Sequence, residues 1–318
     1  MKDMTTCLGQ GMSHAKIILI GEHSVVYGQP AIALPLFAIT AKAQVKILKT
    51  KQQIIKSSYY DGLMENMPKT MQGIKHLIKH LCIELFKENI GFELTITSQL
   101  PAERGMGSSA AVAVAIIRSF YACAKQSISK NKLLKLAEIS EIDTHKNPSG
   151  LDAATSASST PIWMIRGQEL CEIPINLDAY LVICDSGIKG QTSEAIGIVK
   201  QRLLLEPQTS KKHIEKLGEL TRKTKTVLQT GSISDLGKIM DEAQNSLKAL
   251  GVSLPEIENY LQVARANGAL GAKLTGGGRG GCFICLVKDQ QAAQKLATTL
   301  QKHGITKTWI ESLSQRED

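Results

Sequence analysis

Leu100-Pro-Ala-Glu-Arg-Gly-Met-Gly-Ser-Ser109 runs without interruption into Ala110-Ala-Val-Ala-Val-Ala-Ile-Ile117. The first part is a loop of glycine and small residues. The second opens an alanine-rich apolar helix, expected over Ala110–Lys125. A glycine loop that feeds a helix offers free backbone N–H groups and the positive helix end to whatever lies in it, which makes an anion site. Small side chains let a phosphate approach the backbone, and the hydroxyls of Ser108 and Ser109 can reach a phosphate or its metal. The competing reading is a tight strand-to-helix turn capped by Ser108. The local pattern leaves both open.

Outward from this stretch, Gly91–Thr97 alternates Phe, Leu and Ile with polar residues, the period-two signature of a half-buried strand. Lys16–Ile20 is a short aliphatic run ending at Gly21 and reads as a buried strand. Pro30–Ala41 and Ala43–Leu48 are strand-like pieces, while Lys69–Glu88 and Lys130–Glu141 have helical spacing. Asn147-Pro-Ser-Gly150 breaks the pattern before a run of small residues, Leu151–Ser159. Tyr180–Cys184 is a further strand, and helical periodicity dominates Ser193–Leu205, His213–Leu228, Ile233–Leu250 and Leu254–Asn267. A second glycine loop, Gly276–Gly281, precedes a strand at Cys282–Val287, a helix at Gln290–His303 and a strand near Lys307–Ile310. Strands and helices mix in both halves, which predicts an α+β fold. The chain has 318 residues, enough for two domains at about 150 each. The cleanest boundary lies before Tyr180, dividing 1–178 from 179–318.

The composition is 43% hydrophobic and 21% charged with mean hydropathy near zero, that of a globular chain able to bury a core. Aromatics are only 4%, so the core must be aliphatic. The longest apolar runs, such as Pro30–Ile39, fall short of the roughly 20 residues that a membrane span needs. The polar start, MKDMTTCLGQGMSH, lacks the apolar core of a signal peptide, and the expected location is the cytoplasm. A net charge of +9 (38 basic less 29 acidic residues) suits an anionic ligand. Basic clusters at Lys200–Arg202, Lys211–Lys212 and Arg222–Lys225 have no interleaved aromatics and read as solvated helix faces, with no nucleic-acid-binding pattern. Seven widely spaced cysteines suit reduced thiols. Cys282 and Cys285 have CxxC spacing but lie in an apolar run without a second pair, and His76 and His80 lack the glutamate of a metalloprotease motif.

The second glycine loop satisfies GxGxxG, yet a strand follows it where dinucleotide binding needs a helix. Walker A and protein-kinase elements are absent, so phosphate chemistry here uses neither common scaffold. Three carboxylates stand out: Glu22 in Gly21-Glu-His23, Glu141 at a helix end, and Asp152 in an otherwise small, uncharged stretch. An unpaired buried carboxylate is costly, so Asp152 is unusual there, and composition leaves a functional and a structural role both open. A helix-capping aspartate is the structural alternative.

Taken together, three segments resemble the signature motifs of the GHMP kinases, in that superfamily's order. They are Lys16-Ile-Ile-Leu-Ile-Gly-Glu-His-Ser-Val-Val-Tyr-Gly-Gln-Pro-Ala31, Pro101–Ala111, and Lys273-Leu-Thr-Gly-Gly-Gly-Arg-Gly-Gly-Cys282. Similarity runs from about residue 14 to near the C-terminus. Thr144-His-Lys-Asn-Pro-Ser-Gly-Leu-Asp152, Lys189-Gly-Gln-Thr192 and Leu250-Gly-Val-Ser253 resemble the branch that phosphorylates mevalonate. The sequence departs from the usual pattern at Ala15 before Lys16, at Glu103-Arg104, and at Arg279.

The resemblance implies an N-terminal ATP-binding domain of the ribosomal protein S5 domain 2-like fold and a ferredoxin-like C-terminal domain. It implies ATP as co-substrate, Mg²⁺, and transfer to the 5-hydroxyl of mevalonate in isoprenoid biosynthesis. Gly105, Met106, Gly107, Ser108 and Ser109 would cradle the ATP phosphates, and Ser109 and Glu141 would hold Mg²⁺. Asp152 would orient the acceptor hydroxyl and take its proton, with Lys16 beside it. Glu22, His23, Ser149 and Thr192 are the candidates near mevalonate. The implied partners are this small molecule, no nucleic acid and no membrane, with room for a homodimer. The rivals are a phosphomevalonate kinase and a non-catalytic sensor or nucleic-acid-binding protein on the same fold. A degenerate member should have lost Lys16, Ser109, Glu141 or Asp152, and all four are present.

Overall fold

The computed structural model describes residues 7–87, 90–101, 104–142 and 150–314. The chain forms two compact units, neither contiguous in sequence: Met1–Lys16 with Ile39–Pro101 and Gly107–Ala157, and Ile17–Ala38 with Ala102–Met106 and Ser158–Asp318. Two long strands, β1 (Leu8–Ile20) and β2 (Ala31–Leu48), contribute to both.

The first unit adds β3 (Gln53–Lys56), β4 (Asp61–Leu63), α1 (Gln72–Phe86), β5 (Gly91–Ser98), α2 (Ser108–Cys123), α3 (Lys130–Ile142) and α4 (Leu151–Ala157). Its strands lie in the order β4-β3-β5-β2, and β1 also pairs with β2. β2 runs antiparallel to β5 from Ala41 opposite Ser98 to Leu48 opposite Gly91, and β3 runs parallel to β5. Where the sequence suggested two pieces, β2 is one strand of 18 residues. Lys42, between the pieces, is simply an outward position in an alternation that buries Ala41, Ala43, Val45 and Ile47.

The opening of β1 was not legible as a strand. Leu8-Gly-Gln-Gly-Met-Ser13 has no apolar alternation and two glycines, which weaken an isolated strand. The reason lies in α2. A Cβ on Gly9 would sit 2.0 Å from the Ser119 carbonyl oxygen, and one on Gly11 would sit 2.1 Å from that of Ala115. The strand backbone therefore lies directly on a face of α2 made of small residues, a closeness that any side chain would forbid. α2 is buried along most of its length, from Ala110 to Cys123, as a helix apolar all round must be.

The second unit adds β6 (Ile162–Met164), β7 (Cys171–Glu172), β8 (Tyr180–Asp185), α5 (Thr192–Leu205), α6 (Pro207–Thr230), α7 (Ile233–Ala249), α8 (Pro255–Ala266), β9 (Gly271–Leu274), β10 (Cys282–Val287), α9 (Gln290–Lys302) and β11 (Lys307–Ser312). The start of β2 pairs with β6, and β6 with β7. Four strands form an antiparallel sheet in the order β11-β8-β10-β9. With helices after β8 and β10, this is the ferredoxin-like βαββαβ arrangement. β10 lies between two partners and is buried at every position, which is why its sequence is a continuous apolar run. Cys282 and Cys285 stand three apart on it, hence on opposite faces, and both are core residues.

Helix ends follow local chemistry. α6 begins six residues earlier than its periodicity suggested, because Pro207 suits a first turn, and it stops at left-handed Gly231. The short strands β3, β4, β6 and β7 are too brief to leave a periodic signal.

Candidate active site

Within the first unit, four elements bring the predicted groups together. Lys16 lies on β1, and its Nζ is 2.8 Å from Oδ1 of Asp152 on α4. α4 begins at Leu151, so its cap position falls at Gly150 and Asp152 sits inside the first turn. The aspartate is thus a partner for a lysine and not the helix cap. The lysine side chain is 6% exposed and the aspartate's 43%, so the pair is covered on one side and open on the other.

The glycine loop presses on this lysine. Gly107, at the N-cap of α2, has a left-handed backbone with φ +71° and makes no side-chain cap, and a Cβ there would meet the Lys16 stem at 2.9 Å. Ser108 is the first helical residue, so the capped-turn reading does not hold. The Ala111 N–H bonds to the Gly107 carbonyl at 2.9 Å as the helix starts. The N–H groups of Ser108, Ser109 and Ala110 precede the helical ladder and face the loop end. Ser109 is exposed there.

Glu141, near the end of α3, is buried at 6% exposure. Burial first, and then the charge of Asp152, raise its carboxyl pKa to about 7, against an opposing pull from Lys16. Two carboxylates therefore share one lysine. Such a deficit of positive charge among hard oxygen donors fits a divalent cation such as Mg²⁺ that retains most of its waters. Among the described residues no group of three or more His, Cys, Asp or Glu makes a fuller metal cage.

The raised pKa makes a prediction with a definite sign. The folded state holds the Glu141 proton more tightly than the unfolded chain, so this group's contribution to stability declines as pH rises from about 4.5 to about 7. Glu141→Gln should remove that slope, gaining on the wild type by roughly 2–3 kcal/mol between pH 5 and 8. Its turnover should fall, and raised Mg²⁺ or Mn²⁺ should partly restore it. Chemical denaturation at the two pH values and metal titrations check both, and metal dependence identical to wild type would remove Glu141 from the metal role.

The second unit carries the other predicted residues. Gly105 has φ +74° and is exposed, while Met106 is buried. Glu22 is 1% exposed and forms an ion pair with the fully buried Lys273, whose Nζ also donates to the Leu274 carbonyl at 2.6 Å. Burial and the nearby Lys273 lower the His23 pKa, partly offset by a 2.8 Å bond between its Nε2 and the Gly277 carbonyl. That bond requires Nε2 to carry the proton. Thr192 opens α5, and its Oγ1 lies 2.3 Å from where a Gly277 Cβ would be. His23 and Thr192 thus converge on Gly277, which has no room for a side chain. Ser149, the remaining candidate, lies outside the described residues.

Two charged residues gained no role from the sequence. Lys273 is a lysine within a fully buried strand, and that placement between Ala272 and Leu274 was the available signal. Arg104, a departure from the usual loop, bonds through Nε to Asp185 at 3.0 Å and reaches the Ile188 carbonyl at 3.4 Å. It ties the start of the glycine loop to the turn after β8.

Family models match both parts of the chain: "GHMP kinases N terminal domain" over residues 73–160 and "GHMP kinases C terminal" over 224–306. Mevalonate kinase from Pyrococcus abyssi is 32% identical over 312 residues, covering 92% of each chain. The crystal structure of mevalonate kinase from methicillin-resistant Staphylococcus aureus is 33% identical, with a TM-score of 0.77 over 97% of this chain and 100% of that one. The L. major mevalonate kinase solved with R-mevalonate shares the fold, with a TM-score of 0.84 over 99% of this chain and 98% of that one at 23% identity. The chain belongs to the GHMP kinases, and within them to the mevalonate kinase family. No helix among the described residues is long and apolar enough to cross a membrane.

Proposed function

We propose that this kinase transfers the γ-phosphoryl group of ATP to the 5-hydroxyl of mevalonate. The observation that carries the reading is the Lys16–Asp152 pair at 2.8 Å, set against Gly107 and the N-terminus of α2 in one compact unit. Phosphoryl transfer needs charge neutralised and geometry held in line, with little covalent work by the protein. The N–H groups at the start of α2, after Gly105–Gly107, hold the phosphates. Asp152 accepts a hydrogen bond from the acceptor hydroxyl, orients its oxygen and takes its proton as the new P–O bond forms. Lys16 sits beside the transferring group and offsets its negative charge. Ser109 and Glu141 would hold Mg²⁺, which supplies charge neutralisation at the phosphates. In the second unit, His23 and Thr192, which meet at Gly277, are the residues proposed to contact mevalonate, and Glu22 pairs there with Lys273.

We place the functional boundary before β8, dividing 1–178 from 179–318; the two family-model spans fall on either side of it. Cytoplasmic residence is part of the same reading, supported by seven free cysteines, five of them buried. The test is ADP release with mevalonate, phosphomevalonate, homoserine and galactose compared side by side. Mevalonate should give the highest kcat/KM by more than tenfold. Phosphomevalonate as the better substrate by that margin would overturn the choice of acceptor.

A further inference from the structure

We infer that Arg118 is a positioning residue for phosphoryl transfer, a clamp that sets how Lys16 and Asp152 face each other. It projects from α2, the helix whose first turn holds Ser109. Its guanidinium donates through Nη1 to the Met12 carbonyl at 2.6 Å and through Nη2 to the Ala157 carbonyl at 3.1 Å. Met12 lies on β1, four residues before Lys16 and on the same side of the strand; Ala157 is the last residue of α4, the helix that carries Asp152. One planar fork therefore joins the three elements that bear the proposed reacting groups. Beside it, the Ser13 hydroxyl donates to the Ser156 carbonyl at 2.8 Å, a second tie from β1 to the same helix end.

The physical need for such a clamp comes from α4. Seven residues are too few to sustain a helix alone, and its last carbonyls have no partner within it. A cation at a helix C-terminus satisfies those carbonyls and complements the negative end of the dipole. Burial lowers the Arg118 pKa, a cost that a residue serving only solubility would not carry. A lysine there could not replace the fork, since its single ammonium lacks the fixed two-pronged geometry. Loss of the clamp would let α4 shift or rotate against β1, and a small misplacement of Asp152 costs far more in rate than in binding.

This inference rests on the reading of Lys16 and Asp152 as the reacting pair, but not on the identity of the acceptor. The test compares wild type, Arg118→Lys and Arg118→Ala on whichever alcohol the wild type phosphorylates best. Arg118→Lys should fold and lose at least about tenfold in kcat, equivalent to 1.4 kcal/mol of barrier. KM for ATP and for the acceptor should change less than threefold. Millimolar methylguanidine should raise kcat of Arg118→Ala severalfold and leave the wild type unaffected. A folded Arg118→Lys with kcat within twofold of wild type would overturn the inference. So would a loss in both variants that matches the unfolded fraction measured by circular dichroism and does not respond to methylguanidine. If the wild type uses another alcohol better than mevalonate, the proposed acceptor fails while the clamp is still measured.

Discussion

Asp152→Asn is expected to keep the fold and ATP binding while losing about three or more orders of magnitude in kcat, or some 4 kcal/mol of barrier. The change is nearly isosteric, and the aspartate is not the cap of α4, so no helix end loses its partner. Removing the anion leaves Lys16 without its 2.8 Å partner, but the aspartate side is 43% exposed and water takes up part of the loss. Stability should therefore drop by only about 1 kcal/mol. The rate loss has two sources: the amide cannot accept the hydroxyl proton, and the negative charge beside Lys16 is gone. If the transition state is loose, the proton leaves late and position matters more than basicity. Asp152→Glu, which moves the carboxylate by one methylene, should then also be poor. A near-native kcat for Asp152→Asn at unchanged melting temperature would reduce Asp152 to a surface partner of Lys16.

Lys16→Met should lower kcat by about 100-fold or more, with a smaller change in the KM for either substrate. Methionine keeps the apolar stem against Gly107, where a Cβ would already collide with the lysine chain, so the loop keeps its support. What is lost is the charge that faces both Asp152 and the buried Glu141. Without it the Glu141 pKa should climb further above 7, because Lys16 is the group pulling it down. The acid limb of the kcat profile should move to higher pH. The double variant with Asp152→Asn should lose far less than the product of the two single losses, as expected when two residues act as one unit. Independent, multiplicative losses would separate their roles.

Much of the architecture could be read from local signals. The alternation of β5, the unbroken apolar run of β10 and the periodicity of α5 to α9 are each produced by the environment of a single element. The order of β8, helices, β9, β10, α9 and β11 then constrains the second unit to few topologies. The glycine loop at 105–107 marked the turn into a helix, because left-handed backbone and close approach both demand residues without side chains.

Other features have no local cause. Nothing in Leu8–Ser13 signals a strand; its glycines make sense only against the Ser119 and Ala115 carbonyls of α2. The composition around Asp152 suited a cap as well as a catalyst; where α4 begins removes the cap, and Lys16 lying across from it supplies a charge partner. The Glu22–Lys273 pair, the Arg104–Asp185 tie and the Arg118 fork join residues remote in the chain. Motif and periodicity are set by what each residue does to its own backbone and near neighbours, so the sequence by itself determined the elements and the residue types available for chemistry. Charge pairing, close backbone approach and desolvation depend on distances across the fold, so only the tertiary structure decided which side chains meet, which are buried, and that Glu141 titrates near 7.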